Sequence, residues 1–365
     1  MYQLHTVSLS NQRIYFSVIM CIGLVMIVFQ GLAIKNYKGN TARNEAMMHS
    51  ILYFNPPPYL QPPHTWSFSS CRYSRCSITT DKNQLNTSKV VIFYQFLMPP
   101  YPPPKQEGQK WIFLSDESPV NTHNTSTLHG WNNKFDWVMS YRLDGDFYYG
   151  YGELMPRTTP VVRNYSAIYS HKKFDVSWIV SHCETHSRRE EYVRELRKYI
   201  PVDIFGKCGS FNCGPKTGNE NDTCHYLASN NYKFYLAFEN SLCRDYTSEK
   251  YYFIYLYDMP VIPVIRGAFN GKTYLRQGTF IDTNDFDSPK LLADYLKRVG
   301  DNRTAYINLL KRKDEYVSKR LSDILQSSLC KLCERLHSKN LTSRQYDIKD
   351  WYFTNQCSRP TDLNI

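Results

Sequence analysis

Three polar clusters stand where apolar runs end, and each offers chemistry. Residues 234–250 read FYLAFENSLCRDYTSEK. An apolar run feeds into Glu239, Asn240 and Ser241, and Asp245, Tyr246, Glu249 and Lys250 follow where a helix would begin. A diphosphate needs hydrogen-bond donors, positive charge and preferably a helix N-terminus. Lys250 and nearby backbone N–H groups supply these; Asn240 and Tyr246 suit phosphate or ribose, and Glu249 can accept from ribose hydroxyls. The plainer alternative is that the same residues cap and solvate an ordinary helix. Asp116-Glu117 closes a second run, WIFLS. Asp144-Gly145-Asp146 forms a DxD, a pattern able to hold Mg or Mn against a nucleotide diphosphate.

The elements that must position these groups are short. Residues 90–96, 111–114, 137–141, 176–181, 202–205, 233–238 and 261–265 read as strands, stopped by Pro, Gly or polar residues. Helical patterns cover 188–199, begin near Ser248, and run on from Ser288-Pro289, where Ser is the N-cap and Pro opens the first turn. Strand, loop and helix in alternation predict an α/β fold of parallel sheets with crossover helices. Ligands in such sheets bind beyond the carboxyl ends of strands. Asp116-Glu117, Arg142, Ser181-His182 and Glu239-Asn240 all fall at such ends.

Residues 14–34 read IYFSVIMCIGLVMIVFQGLAI, with no charge. At about 1.5 Å per residue they span a bilayer core of ~30 Å, and the run is longer than a cleaved signal peptide requires. The expected order is a cytoplasmic tail at 1–13, a transmembrane signal-anchor at 14–34 and a Pro-edged stem at 35–54. Flanking charge does not settle orientation, since Arg13 precedes the segment while Lys35, Lys38 and Arg43 follow it; the folded mass must lie after it. Ten of the 11 cysteines follow the anchor, which fits disulfides in an oxidising lumen. Cys330-Lys-Leu-Cys333 leaves zinc as the rival, without a second nearby CxxC. Sequons begin at Asn86, Asn124, Asn164, Asn221, Asn302 and Asn340. The net charge of +11 suits an anionic ligand, but its basic residues are dispersed, which argues against nucleic acid. The 30 tyrosines suit either carbohydrate stacking or core and strand positions.

Residues 234–250 resemble the signature of the α-1,3-fucosyltransferase family, FxxxFENSxxxDYxTEK, with Ser248 where Thr is usual. Other blocks agree in order: WIFLSDESP at 111–119 with its ESP block, WVMSYRLDGDFYYGY at 137–151 with its YRxDSD block, 180–189 with its VSN strand end and following Arg, and PVDIFGKCG at 201–209 with its next strand. The likeness covers roughly 65–357, and the cysteines around Cys208 to Cys224 look closer to plant and invertebrate members. His182, Leu143 and Gly145 depart from the usual Asn, Arg and Ser, and the helix after Lys250 is more aromatic than is usual.

The resemblance implies a GT-B type fold, two Rossmann-like domains facing across a cleft: an acceptor lobe at 55–141 plus 322–365 and a GDP-fucose lobe at 142–321. It implies an inverting transfer of fucose to a GlcNAc- or GalNAc-containing glycan of a glycoprotein or glycolipid, in the Golgi lumen. Glu117 would be the general base, and Arg142, Arg189 and Lys250 would stabilise the departing GDP. Tyr141, Ser181, His182, Tyr235, Glu239, Asn240, Tyr246 and Glu249 complete the implied donor site. Asp146 is expected to support Arg142, with cationic side chains in place of a required metal and a divalent ion at most stimulatory. The family's pairing implies Cys71–Cys330 and Cys76–Cys333. The rival readings are a related transferase with another donor and an inactive glycan-binding or chaperone homologue.

Overall fold

The structure, a computed structural model, describes residues 48–57, 59–60, 66–122, 130–211, 223–268, 270–339 and 341–363. The expected tail and anchor, and the stem up to 47, lie outside them. Among the described residues no helix is long and apolar enough to cross a membrane.

Six parallel strands form the first sheet, in the order β2-β1-β3-β4-β5-β6. They are β1 His49–Tyr53, β2 Cys76–Thr79, β3 Val90–Tyr94, β4 Lys110–Ser115, β5 Trp137–Ser140 and β6 Phe147–Tyr148. Apolar runs such as VVIFY in β3 belong to a parallel sheet covered on both faces. Five parallel strands form the second, in the order β13-β12-β10-β8-β9: β8 Phe174–Ile179, β9 Val202–Phe205, β10 Tyr232–Phe238, β12 Ile262–Arg266 and β13 Ile281–Asp282. Its helices are α1 Tyr165–His171, α2 Arg189–Leu196, α3 Thr223–Asn231, α4 Glu249–Leu256, α5 Pro289–Asp301 and α6 Arg303–Asp314. Two ribbons complete the described strands, β7 Leu154–Pro156 with β14 Tyr316–Ser318, and β11 Leu242–Cys243 with β15 Cys357–Ser358.

Each sheet has its own apolar core. On the first, Ile112 and Leu114 face α7, Leu321–Leu336, while Trp111 and Phe113 face the later segment carrying Tyr346, Ile348 and Tyr352. Fourteen of the described tyrosines are buried, where the plainer reading put them. Ser288 caps α5, its side chain accepting from Leu291 N at 3.3 Å with Pro289 at the first position.

The sequence-based boundaries shift in three places. β1 falls within the expected stem, so the folded body already includes His49–Tyr53; five residues hold too little pattern to separate a buried strand from a linker. β6 extends the first sheet past 141. The chain's end does not stay with that sheet: Cys357 bonds Cys243, Asp362 forks onto Arg266 of β12, and Leu363 enters the second core.

The disulfides include Cys71–Cys330 and Cys76–Cys333, as the resemblance implies, and Cys183–Cys208. Cys76, Cys333 and His337 converge as metal ligands would, but the two sulfurs are bonded to each other. Asn86, Asn164 and Asn302 are exposed, and the side chains of Asn164 and Asn302 cap α1 and α6. Asn124, Asn221 and Asn340 lie outside the described residues.

The first two bridges close loops of 259 and 257 residues and run side by side. Once one is closed, the other adds only a small ring. Replacing Cys71 and Cys330 by Ser is therefore expected to cost about 2 kcal/mol, and removing both bridges several kcal/mol more, on the entropic account. Denaturant unfolding of the two variants checks this non-additivity.

Candidate active site

The carboxyl end of β4 runs directly into Asp116 and Glu117. Side chains alternate along a strand, so Asp116 falls on the face of Ile112 and Leu114, and Glu117 on the face of Phe113 and Ser115. Glu117 Oε1 accepts from Ser118 N at 2.7 Å, Ser118 Oγ at 3.1 Å and Tyr246 Oη at 2.6 Å. Among the described residues nothing bonds Oε2, so one oxygen anchors the carboxylate and the other is left for chemistry. Burial, then Tyr151 and Glu117, hold the Tyr246 phenol far above its ordinary pKa, so it remains a donor. Tyr352 Oη fixes the same turn by bonding the Glu117 carbonyl and Ser115 Oγ.

Tyr246 lies in the loop between β11 and α4, downstream of β10 of the second sheet. β10 ends at Phe238, and Glu239 follows, buried, with Ser248 N and Oγ on its carboxylate at 2.7–2.9 Å and Lys250 Nζ at 3.3 Å. Burial pushes the Glu239 carboxyl up, and Lys250 and Ser248 pull it partly back. Burial also opposes the Lys250 charge, but Glu239 and Glu249 outweigh it and hold the ammonium above its usual range. Lys250 bonds Glu249 at 3.1 Å, so the cation sits between two carboxylates at the start of α4. Tyr235 packs buried beside this cluster, where Lys250, Glu249 and Glu239 act on its phenol.

Arg189, the first residue of α2, is 3% exposed. Its guanidinium donates to the Phe238 carbonyl at 2.6 Å and the His182 carbonyl at 3.1 Å, and its Nε has no partner. Among the described residues no carboxylate lies within ion-pair distance of it. Buried charges are ordinarily paired, so this guanidinium is suited to an anion brought from outside. Ser181 and His182 lie beside it at the end of β8. They are set by Gly206, whose φ of +89° and approach to the Val180 carbonyl leave no room for a Cβ. Cys183–Cys208 ties the same two strand ends. The Asn240 carbonyl accepts from Ser187 N at 3.0 Å, joining this loop to the end of β10.

Arg142 corrects one expectation. Its Nε and Nη2 fork onto Asp144, at 2.9 and 2.6 Å, Nη1 bonds the Trp351 carbonyl, and its plane lies 4.3 Å from the Trp351 ring centre. Asp144 therefore supports Arg142, and Asp146 does not. Asp146 accepts from Val138 N at 3.0 Å and pairs with Arg335 of α7 at 2.7 Å. The tight turn after β5 sends the two carboxylates to different arginines, which the DxD pattern could not reveal. Tyr141 is buried edge-on to Tyr246, ring centres 5.1 Å apart, with its hydroxyl unpartnered.

Of the expected donor residues, Glu239, Glu249, Lys250 and Tyr235 form one cluster, and Arg189, Ser181, His182 and Asn240 a second beside it. Tyr246, Tyr141 and Arg142 adjoin the turn after the first sheet. The sequence reading named Asp245 without giving it a role; its carboxylate accepts from Leu143 N at 3.1 Å and Asn270 Nδ2 at 2.5 Å. It missed Trp351 and Tyr352; only their place in an aromatic tail hinted at them.

Residues 169–351 match the family described as glycosyltransferase family 10 (fucosyltransferase), C-term, and residues 46–152 match its companion, fucosyltransferase, N-terminal. The chain belongs to glycosyltransferase family 10. Within it the chain is 33% identical over 294 residues to alpha-(1,3)-fucosyltransferase C of Drosophila melanogaster, covering 74% of this chain and 65% of that protein. It is 30% identical over 297 residues to glycoprotein 3-alpha-L-fucosyltransferase A of the same organism, covering 78% of this chain and 56% of that protein. A bovine 3-galactosyl-N-acetylglucosaminide 4-alpha-L-fucosyltransferase is 31% identical over 290 residues, covering 76% and 74%. A solved alpha1,3-fucosyltransferase structure with GDP-fucose aligns over 82% of this chain and 93% of that one, at 16% identity and a TM-score of 0.49.

The split of the DxD in this family 10 chain makes a measurable difference. Asp146→Asn removes a charged partner from Arg335 and is expected to lower stability by about 1–3 kcal/mol, read by denaturant unfolding. Mn binding, followed by electron paramagnetic resonance, should be the same in the variant and the parent.

Proposed function

We propose that this chain is an inverting α-1,3-fucosyltransferase that moves L-fucose from GDP-β-L-fucose to a GlcNAc- or GalNAc-containing glycan, with Glu117 as general base. The observation that carries the reading is the Glu117 carboxylate, pinned through Oε1 by Tyr246 from the loop before α4 and, among the described residues, left open at Oε2. The membership of family 10 supplies the donor and reaction class.

In the proposed step the acceptor hydroxyl oxygen bonds the anomeric carbon while its proton passes to Glu117 Oε2. The bond from that carbon to the β-phosphate oxygen breaks on the opposite face, and its electron pair leaves with GDP. Attack and departure on opposite faces turn the β-linked donor into an α-linked product. The base acts best if it is held within hydrogen-bond reach of that proton, which the three donors on Oε1 favour. Arg189, buried without a carboxylate partner among the described residues, and Lys250, kept charged by two carboxylates, are placed to meet the growing charge on the diphosphate. Arg142, stacked and forked, would hold the turn between the sheets and face the same ligand.

The proposal extends to location: a Golgi membrane enzyme of single-pass type II, anchored by 14–34, with the body in the lumen. The bridges in the described body favour an oxidising compartment.

Glu117→Gln removes proton acceptance at little change in volume. GDP affinity should stay within about twofold by calorimetry, while transfer from GDP-fucose, assayed as GDP release on a panel of N-glycan acceptors, should fall by roughly 10²–10⁴-fold. Near-normal turnover in this variant would overturn the assignment of the base.

Asp144 and Asp146 are both committed to arginines, which supports a transfer that needs no metal. Activity is expected to survive EDTA, with a divalent ion at most accelerating GDP release. Complete loss restored by Mn or Mg would refute this.

A further inference from the structure

Asp116 is a carboxylate buried beside the proposed base, 7% exposed, with no cation in ion-pair distance among the described residues. Two phenols hold its side chain. Tyr94 donates to Oδ1 at 3.1 Å, Tyr59 donates to Oδ2, and the two phenol oxygens lie 3.3 Å apart. Burying a carboxylate against neutral partners is costly, and the fold gains from it a single unusual feature. Tyr59 as a residue is 54% exposed, yet its hydroxyl is held by the buried Asp116 carboxylate. Tyr101 and Tyr226 are exposed to at least the same degree, and among the described residues neither side-chain hydroxyl is so held. An exposed aromatic ring immobilised in this way is pre-organised for a flat partner, since it loses little rotamer freedom on contact.

Position names the partner. Asp116 and Glu117 are consecutive at the end of β4, so the carboxylate that holds Tyr59 and the proposed base stand on the same rim of the first sheet. A neutral ring with an apolar C–H face and hydroxyls on its edge matches a phenol face bordered by hydroxyl and carboxylate oxygens. We propose that Tyr59, held by Asp116 and Tyr94, is the stacking platform for a pyranose ring of the glycan acceptor, next to the sugar that reacts. The inference rests on the reading of Glu117 as the base.

Binding of two probes, N-acetyllactosamine and a core N-glycan glycopeptide, is measured with GDP present by saturation-transfer NMR, alongside steady-state kinetics. Tyr59→Ala is expected to raise the KM of the preferred probe about three- to tenfold, the range for one aromatic contact, with the KM for GDP-fucose unchanged. Tyr59→Phe keeps the ring but loses the bond to Asp116, and a smaller rise is expected. An unchanged probe KM in Tyr59→Ala, or a parallel rise in both KM values, overturns the platform. Should Tyr59→Ala fail to fold, Tyr59→Phe decides by the same two criteria. The NMR arm needs no turnover: a parent chain inert toward GDP-fucose whose probe contact is nevertheless lost in the Tyr59 variants would refute the transferase reading and keep the platform, whereas an active parent with unmoved probe binding would refute the platform alone.

Discussion

The hydrogen bond from Tyr246 to Glu117, at 2.6 Å, joins the turn after β4 to the loop that links β11 to α4. Each sheet has its own core, and Tyr246 packs into one on the first sheet. The proposed chemistry needs Glu117 and the Arg189 and Lys250 cations held in register to within fractions of an ångström. The residues around this bond all act to keep that register. Asp245, two residues from the end of β11, accepts from Leu143 N. It sits at φ +59°, a left-handed conformation that Asp tolerates better than most side chains, and it turns the chain so that Tyr246 can follow toward Glu117.

The C-terminal segment serves the same end from the other direction. Beyond α7 it crosses the first sheet, where Tyr352 fixes the Glu117 turn and Trp351 stacks on Arg142. It then pairs with β11, where Cys357 bonds Cys243, and passes on to the second sheet, where Asp362 and Leu363 attach it. One strap therefore touches Glu117, the Arg142 guanidinium and the core of the second sheet. The disulfides along it restrict its freedom: Cys330 and Cys333 hold it to Cys71 and to Cys76 of β2, and Cys357 holds it to β11. In an oxidising compartment such bonds supply rigidity that a two-core protein cannot gain from packing alone.

The strands were legible wherever burial on both faces produced an unbroken apolar run, as in VVIFY and FYLAF. β1 was not, because HSILY is short and follows polar sequence. The end of the chain was assigned to one sheet because its attachments, Asp362 to Arg266 and Leu363 to the second core, are single residues with no periodicity. The site was readable at the level of type: the carboxylate at the end of β4 and the cation at the start of α4 stand where strand ends predict. What pairs with what was not readable. Asp144 and Asp146 look equivalent in sequence, and only the turn at Gly145 sends one to Arg142 and the other to Arg335.

Tyrosine shows why composition could not single out Tyr59. Thirty tyrosines are as consistent with a core as with a binding face, and 14 of those described are buried. Tyr53, Tyr141 and Tyr149 are almost wholly buried, with hydroxyls that find no partner among the described residues. Tyr59 is of the same residue type and lies near Pro56 and Pro57 in a segment with no periodic pattern, so nothing in the sequence separates it from them. The difference arises only when β3 and β4 lie side by side and bring Tyr94 and Asp116 together at its hydroxyl. The hold on Tyr59 is thus a property of register between parallel strands, and a change of register by one residue would turn Asp116 to the opposite face and leave Tyr59 unheld.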